Sequence, residues 1–190
     1  MEEKIGAGGE PQTYNPDDGR YTGKGTTYRQ NTSYAEILQR SKQSGAISGA
    51  QSGAIDEEEE PARADEHARK MYETYRRRNS DIPKIARVTG HTEEEIKRVK
   101  DHIFINEHDL DSGRKRFDPD FQQAQSWIRL ESGNPEAHDI ILIEHELIEE
   151  RLMREEHLSY DDAHEKANEV ANYQKALEEY KNVTIKKKRN

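Results

Sequence analysis

Residues 144–164 read EHELIEERLMREEHLSYDDAH and concentrate side chains that transfer protons or bind metals. His145 and Glu149 are four residues apart, so on a helix they point the same way. Around them on that face stand Ile141, Leu142, Ile148, Leu152 and Met153. An imidazole and a carboxylate inside an apolar stripe cost free energy unless each is paired or ligated.

Three arrangements would meet that requirement. In the first, His145 and Glu149 join His164 of the following helix around a divalent metal such as zinc. Two imidazoles and one carboxylate are the ligand set of several hydrolytic zinc sites. Glu146 would then activate the bound water, as the glutamate beside the first histidine does in HExxH proteins. The pattern here is H-E-x-x-E, so a carboxylate takes the place of the second histidine. In the second arrangement His145, Glu146 and His164 are acid and base without a metal, for instance in phosphodiester cleavage. In the third, His145 or His164 hydrogen-bonds Glu149 across a helix hairpin and fixes its register. His138, Tyr160 and Tyr173 could line the same pocket.

The elements that must hold these residues are helical. ADEHARKMYETYRRRN places Ala64, Ala68, Met71 and Tyr75 on one stripe. A short helix follows over Ile82 to Val88, with Gly90 as its stop. Thr92 then opens a new helix, with Glu95 three residues on as a capping box. Asp118-Pro119 and Asn134-Pro135 each read as an N-cap followed by a first-turn proline. They predict one helix that carries Ala124, Trp127 and Ile128 to a stop at Gly133, and another over Ile140 to Met153. Ser159, with Asp162 three residues on, opens a last helix through Ala163, Ala167, Val170, Ala171 and Leu177. No strand pair is evident. The expected fold is all-α: about six helices, with a helix-turn-helix-like pair and a C-terminal helix hairpin, over residues 62–180.

Upstream, residues 1–61 have almost no apolar periodicity. The repeat SGAISGAQSGAI and the acidic run DEEEE before Pro61 read as a flexible, disordered linker. Within it TSYAEILQRSKQ could form a short helix capped by Thr32 or Ser33, a docking peptide carrying Tyr34, Ile37 and Leu38. Residues 181–190 form a basic tail. A hydrophobic content of 31% against 36% charged residues agrees with one modest core and an unpacked remainder.

A net charge of −9 opposes general binding to nucleic acid or to a membrane surface. Any nucleic-acid contact would need a local patch, for which Arg76, Arg77, Arg78, Arg114, Lys115 and Arg116 are the candidates. With no cysteine, thiolate metal sites, disulfides and cysteine nucleophiles are excluded. No export signal or apolar run of membrane-spanning length is present, which points to a cytoplasmic or virion-associated protein. Ile82, Ile85, Ala86, Gly90, Ile96 and Val99 match the spacing of a DNA-binding helix-turn-helix. Its second helix, however, begins with Glu93, Glu94 and Glu95, which would face phosphate oxygens, so a structural helix pair competes with DNA reading.

Four segments, SDIPKIARVTGHTEEEIKRVKDHIF, KRFDPDFQQAQSWIRLESGN, HDIILIEHELIEERLM and LSYDDAHEKANEVANY, span about Tyr72 to Tyr173. This stretch resembles the C-terminal domain of minor head (head-morphogenesis) proteins of phages and prophages of Gram-positive bacteria, which also occurs as a polymorphic-toxin-like module. The resemblance implies a phage or mobile-element context, in which such modules are commonly nucleases or other hydrolases. It marks the positions of His145, Glu146, Glu149, His164 and Tyr173 as signature ones. It also implies a phage structural or effector-carrier protein as partner for residues 1–61. The alternative is a non-enzymatic helical interaction module of a phage head or secreted-effector assembly.

Overall fold

Two tyrosines one turn apart, Tyr72 and Tyr75, are fully buried, and the helix that carries them is the first of the described helices. The computed structural model describes residues 13–15, 20–22 and 60–188, with side chains over 60–183. In the N-terminal part, β1 (Thr13–Asn15) pairs antiparallel with β2 (Arg20–Thr22). The expected linker, its repeat and the short helix around Tyr34 otherwise lie outside the described residues. Seven helices make up most of those that are described, so the fold is all-α.

Helix α1 (Pro61–Arg77) buries Ala64, Ala68, Tyr72 and Tyr75. Helix α2 (Ile82–Thr89) ends at Gly90, whose φ of 77° is the left-handed conformation that glycine adopts without steric cost. Helix α3 (Glu93–Lys100) starts with the expected capping box, Thr92 and Glu95 each bonding the other's backbone N–H. It runs on into a π-helical turn, Asp101–Ile105, in which the amide of Asn106 donates to the carbonyl of Asp101 at 2.7 Å.

Residues 108–115, where no strand pair was expected, carry a small antiparallel hairpin. β3 (His108–Leu110) pairs with β4 (Gly113–Lys115) through a two-residue turn, with Gly113 at φ 102°. Three-residue strands are too short to show alternation, so only Asp111-Ser112-Gly113 announced the turn.

Helix α4 (Phe121–Ser132) is capped by Asp120, which accepts from the amide of Gln123 at 2.7 Å, not by Asp118. Helix α5 (Ala137–Glu155) is likewise capped by Glu136 in a box with Asp139, not by Asn134. In both cases an acidic residue just past the proline was the better cap. A carboxylate there satisfies free amides and complements the positive end of the helix. The expected last helix is two: α6 (Tyr160–Val170), capped by Ser159, and α7 (Tyr173–Lys188).

Helix α5 is the axis of the molecule. Ile143 and Leu147 join a core formed with Tyr72, Tyr75, Ile85, Ile96, Phe104 and Trp127. On another side Ile141, Ile148 and Leu152 pack against Ala163, Ala167 and Ala176 of α6 and α7. At about 100° of rotation per residue, Glu146 and Glu149 fall in the sector between these two apolar faces. The turn from α5 to α6 reverses the chain through His157, at φ 54°. The amides of Glu156 and Leu158 both donate to the Leu152 carbonyl, which ties off the helix end.

Candidate metal centre

Four elements deliver ring nitrogens and carboxylates to that sector. Helix α5 supplies His145, Glu146 and Glu149; α6 supplies His164; the π-helical turn supplies His102; and β3 supplies His108 behind it. His102, His145, Glu146 and Glu149 are all buried, while the His164 side chain is 43% exposed and forms the solvent edge.

His145 Nδ1 lies 3.0 Å from the carbonyl oxygen of Ala171. A carbonyl can only accept, so Nδ1 carries the proton. The carbonyl is available because the helix breaks there: the amide of Lys175, its partner in a continuous helix, instead donates to the Asn172 side chain at 2.8 Å. In its neutral form His145 then presents the lone pair of Nε2 to the site. That atom is 3.1 Å from His164 Nδ1 and 3.3 Å from Glu149 Oε2, and His164 Nδ1 is 2.8 Å from the same oxygen. The three residues predicted as metal ligands therefore converge, with one ligand atom from each within 4.8 Å of the others. In a tetrahedral site with bonds of about 2.1 Å, ligand atoms stand roughly 3.4 Å apart, so a few tenths of an ångström of opening admits an ion.

The other oxygen of Glu149, Oε1, accepts from His102 Nε2 at 2.7 Å. His102 was not singled out in the sequence, although an imidazole three residues beyond Val99 on the buried stripe of α3 was a readable signal. Its carbonyl accepts from His108 Nε2 at 2.9 Å, and His108 stacks on Phe117 with ring centres 4.2 Å apart.

Electrostatics separates the two glutamates. Burial alone would raise the Glu149 carboxyl, but hydrogen bonds from His102, His145 and His164 overcome it and hold the group well below the usual carboxylate range. Burial lowers the proton affinity of His145, yet Glu149 and Glu146 more than offset this and the net shift is upward. Its hydrogen bond to Glu149 raises His164 as well. Glu146 has no such donors; burial, followed by the negative charge of Glu149, pushes it up to about 8. Two carboxylates of one site are thus driven apart, one ionised and one holding its proton at neutral pH.

The centre opens onto a cavity of about 840 Å³, walled also by Phe117, Gln123, Tyr160, Asn168 and Tyr173. Tyr160 stacks on His164 at 5.5 Å. Burial raises both tyrosine hydroxyls, leaving them as hydrogen-bond donors at neutral pH. His138 does not reach this cavity; it is buried beside Arg129 and packs on Tyr180, 4.4 Å between ring centres.

No family model, curated protein or solved structure matches the chain. Its chemistry is therefore read from the geometry.

The basic clusters lie elsewhere and are engaged. Arg76 donates to the Phe104 carbonyl, Arg77 pairs with Glu73 and Arg78 with Glu131. Arg114 pairs with Glu107 and Asp109, Lys115 with Asp118, and Arg116 donates to the Ile105 carbonyl. In the helix-turn-helix-like pair, Glu93 and Glu94 are exposed, while Arg98 and His91 face Glu150 and Glu144 of α5. Among the described residues no helix is long and apolar enough to cross a membrane.

Proposed function

We propose that the protein is a metal-dependent hydrolase acting on phosphodiester bonds of nucleic acid, with His145, Glu149 and His164 as ligands of a divalent cation. The observation that carries this reading is the hydrogen bond from His145 Nδ1 to the Ala171 carbonyl. Metal-binding histidines almost always donate their second ring N–H to a carbonyl or carboxylate, which fixes the tautomer and aims the free lone pair. Here it is aimed at two further ligand atoms beside a cavity large enough for a nucleotide.

Glu146 is the remaining carboxylate at the centre, and a cation beside it favours its ionised form. In the reaction the water oxygen bonds to phosphorus and the water's proton passes to Glu146. The ester P–O bond breaks, and the leaving oxygen takes up that proton from Glu146. Phe117, Tyr160 and Tyr173 offer ring faces on which bases stack. Arg76, Arg77, Arg78, Arg114, Lys115 and Arg116 would have to exchange their present partners to follow the backbone. In this reading the chain is a phage-derived or toxin-like module, docked on a structural or carrier protein through residues 1–61.

A second reading is supported by the same network: His102 and His164 bond Glu149 and a protonated His145 would pair with it, as in a pin that holds a purely structural helix hairpin of an interaction module. Purified protein, assayed for bound metal and for RNA and DNA cleavage beside Glu146→Ala and His164→Ala, separates the two. The hydrolase reading expects metal and cleavage in the wild type, and loss of cleavage in both variants. Wild-type protein with neither metal nor cleavage leaves only the structural module.

A further inference from the structure

The site holds a second, unused set of ligand atoms. His102 Nε2 and one carboxylate oxygen each of Glu146 and Glu149 also lie within 4.8 Å of one another, and all three residues are buried. This group shares only Glu149 with the first. The two carboxylate oxygens divide between them: Oε1 faces His102, and Oε2 faces His145 and His164. We propose that the protein binds two divalent cations, the second held by His102, Glu146 and Glu149, with Glu149 bridging the pair. The inference rests on the hydrolase reading above and deepens it.

Two observations and one general rule carry it. Glu146 is buried, yet its nearest ring nitrogen, His102 Nε2, is 3.7 Å away, beyond hydrogen-bond reach. Its carboxylate stands beside that of Glu149 on the cavity wall, so an oxygen of each and the His102 imidazole lie within reach of one cation. His102 reaches the site from a π-helical turn, an uncommon backbone that recurs at functional sites because its extra residue re-aims side chains. Finally, a carboxylate bridge sets two ions roughly 3.5–4 Å apart, the spacing at which a pair stabilises both attacking and leaving oxygens of a displacement at phosphorus. Two cations would lower the pKa of a water held between them, whose proton would pass to solvent in the cavity and from solvent to the leaving oxygen, so Glu146 would serve as a ligand rather than a base.

Counting ions decides the matter. The full chain is stripped with chelator, reloaded with Mn²⁺, desalted, and measured by elemental analysis and electron paramagnetic resonance. Two Mn²⁺ per chain with the signal of a coupled pair are expected for the wild type, and one uncoupled ion for His102→Gln. One ion in both proteins removes the second site and leaves the single-ion hydrolase standing. No ion in either removes both readings. Two ions in His102→Gln place the second elsewhere and overturn the assignment. The wild-type count and coupling need no variant, so a poorly folded His102→Gln, detected by circular dichroism, leaves the test intact.

Discussion

Lys100 and His102 are two residues apart, both buried, and they enter polar networks of opposite design. Lys100 Nζ donates to Asp81 Oδ1 at 2.8 Å, to Asn79 Oδ1 at 3.2 Å and to the Arg78 carbonyl. The second Asp81 oxygen accepts from Trp127 Nε1 at 2.9 Å. That network is closed: both charges are fully buried and each ammonium proton has a partner. Around His102 two carboxylates meet three imidazoles, Glu146 stands 3.7 Å from the His102 ring nitrogen, and the group borders a cavity. A closed network fixes one structure, whereas an open one keeps the capacity to bind something more.

The largest effect should come from breaking the closed network. Asp81→Ala strands a buried ammonium and the indole N–H, at a cost of about 3–5 kcal/mol of unfolding free energy by urea titration. Asp81→Leu with Lys100→Met, which removes both charges, should recover most of that loss. If the double variant stays as unstable as the single one, the pair is more than a pin.

The open network should fail in the other currency. His164→Ala is expected to lower phosphodiester cleavage by at least about 100-fold, near 3 kcal/mol in the barrier, with unfolding free energy within about 1 kcal/mol of wild type. Treatment with a chelator should reproduce the activity loss. A variant that keeps its cleavage but unfolds easily would move this cluster into the class of Lys100 and Asp81.

How far each network could be read from sequence follows from its distance along the chain. His145, Glu149 and His164 were legible because helix periodicity aligns the first two and the Ser159 cap starts the next helix, which brings the third. His102 lies 47 residues before Glu149, and no local pattern links them. The break at Ala171 was illegible for another reason. The alanine spacing runs straight through it without a glycine or proline, and only the ability of Asn172 to cap Lys175 stops the helix. The all-α fold was legible because most helices carry their own stripe and cap, while the caps at Asp120 and Glu136 fell two residues beyond those expected.

His138 tests the boundary between the regions through pH. Burial, then the Arg129 and Lys181 charges against the opposing pull of Asp139, lowers it to about 4. Its folded value lies below the unfolded one of about 6.5, so the unfolded chain binds the extra proton between those values. The stability it contributes is complete above pH 6.5 and falls as pH drops toward 4, by about 2–3 kcal/mol. His145 and His164, shifted upward, act in the opposite sense. The contribution of His138 is therefore read as the difference between wild type and His138→Gln, whose profile should lack that slope. Parallel profiles would show that His138 accepts a proton without cost.

The smallest effect concerns the turn that brings α6 back to the open site. His157 occupies the left-handed position after α5, where a side chain crowds the following carbonyl and glycine is favoured. His157→Gly removes that strain but gives the unfolded chain more freedom, so the two terms nearly cancel. A net gain of about 0.5 kcal/mol is expected, visible as a small rise in the denaturant midpoint at unchanged slope. Because His164 is held by Glu149 and by the Ser159 cap rather than by this turn, cleavage should stay at the wild-type rate. A drop in activity with no loss of stability would instead mean that the turn aims His164, and that the open network depends on a strained residue the closed one does without.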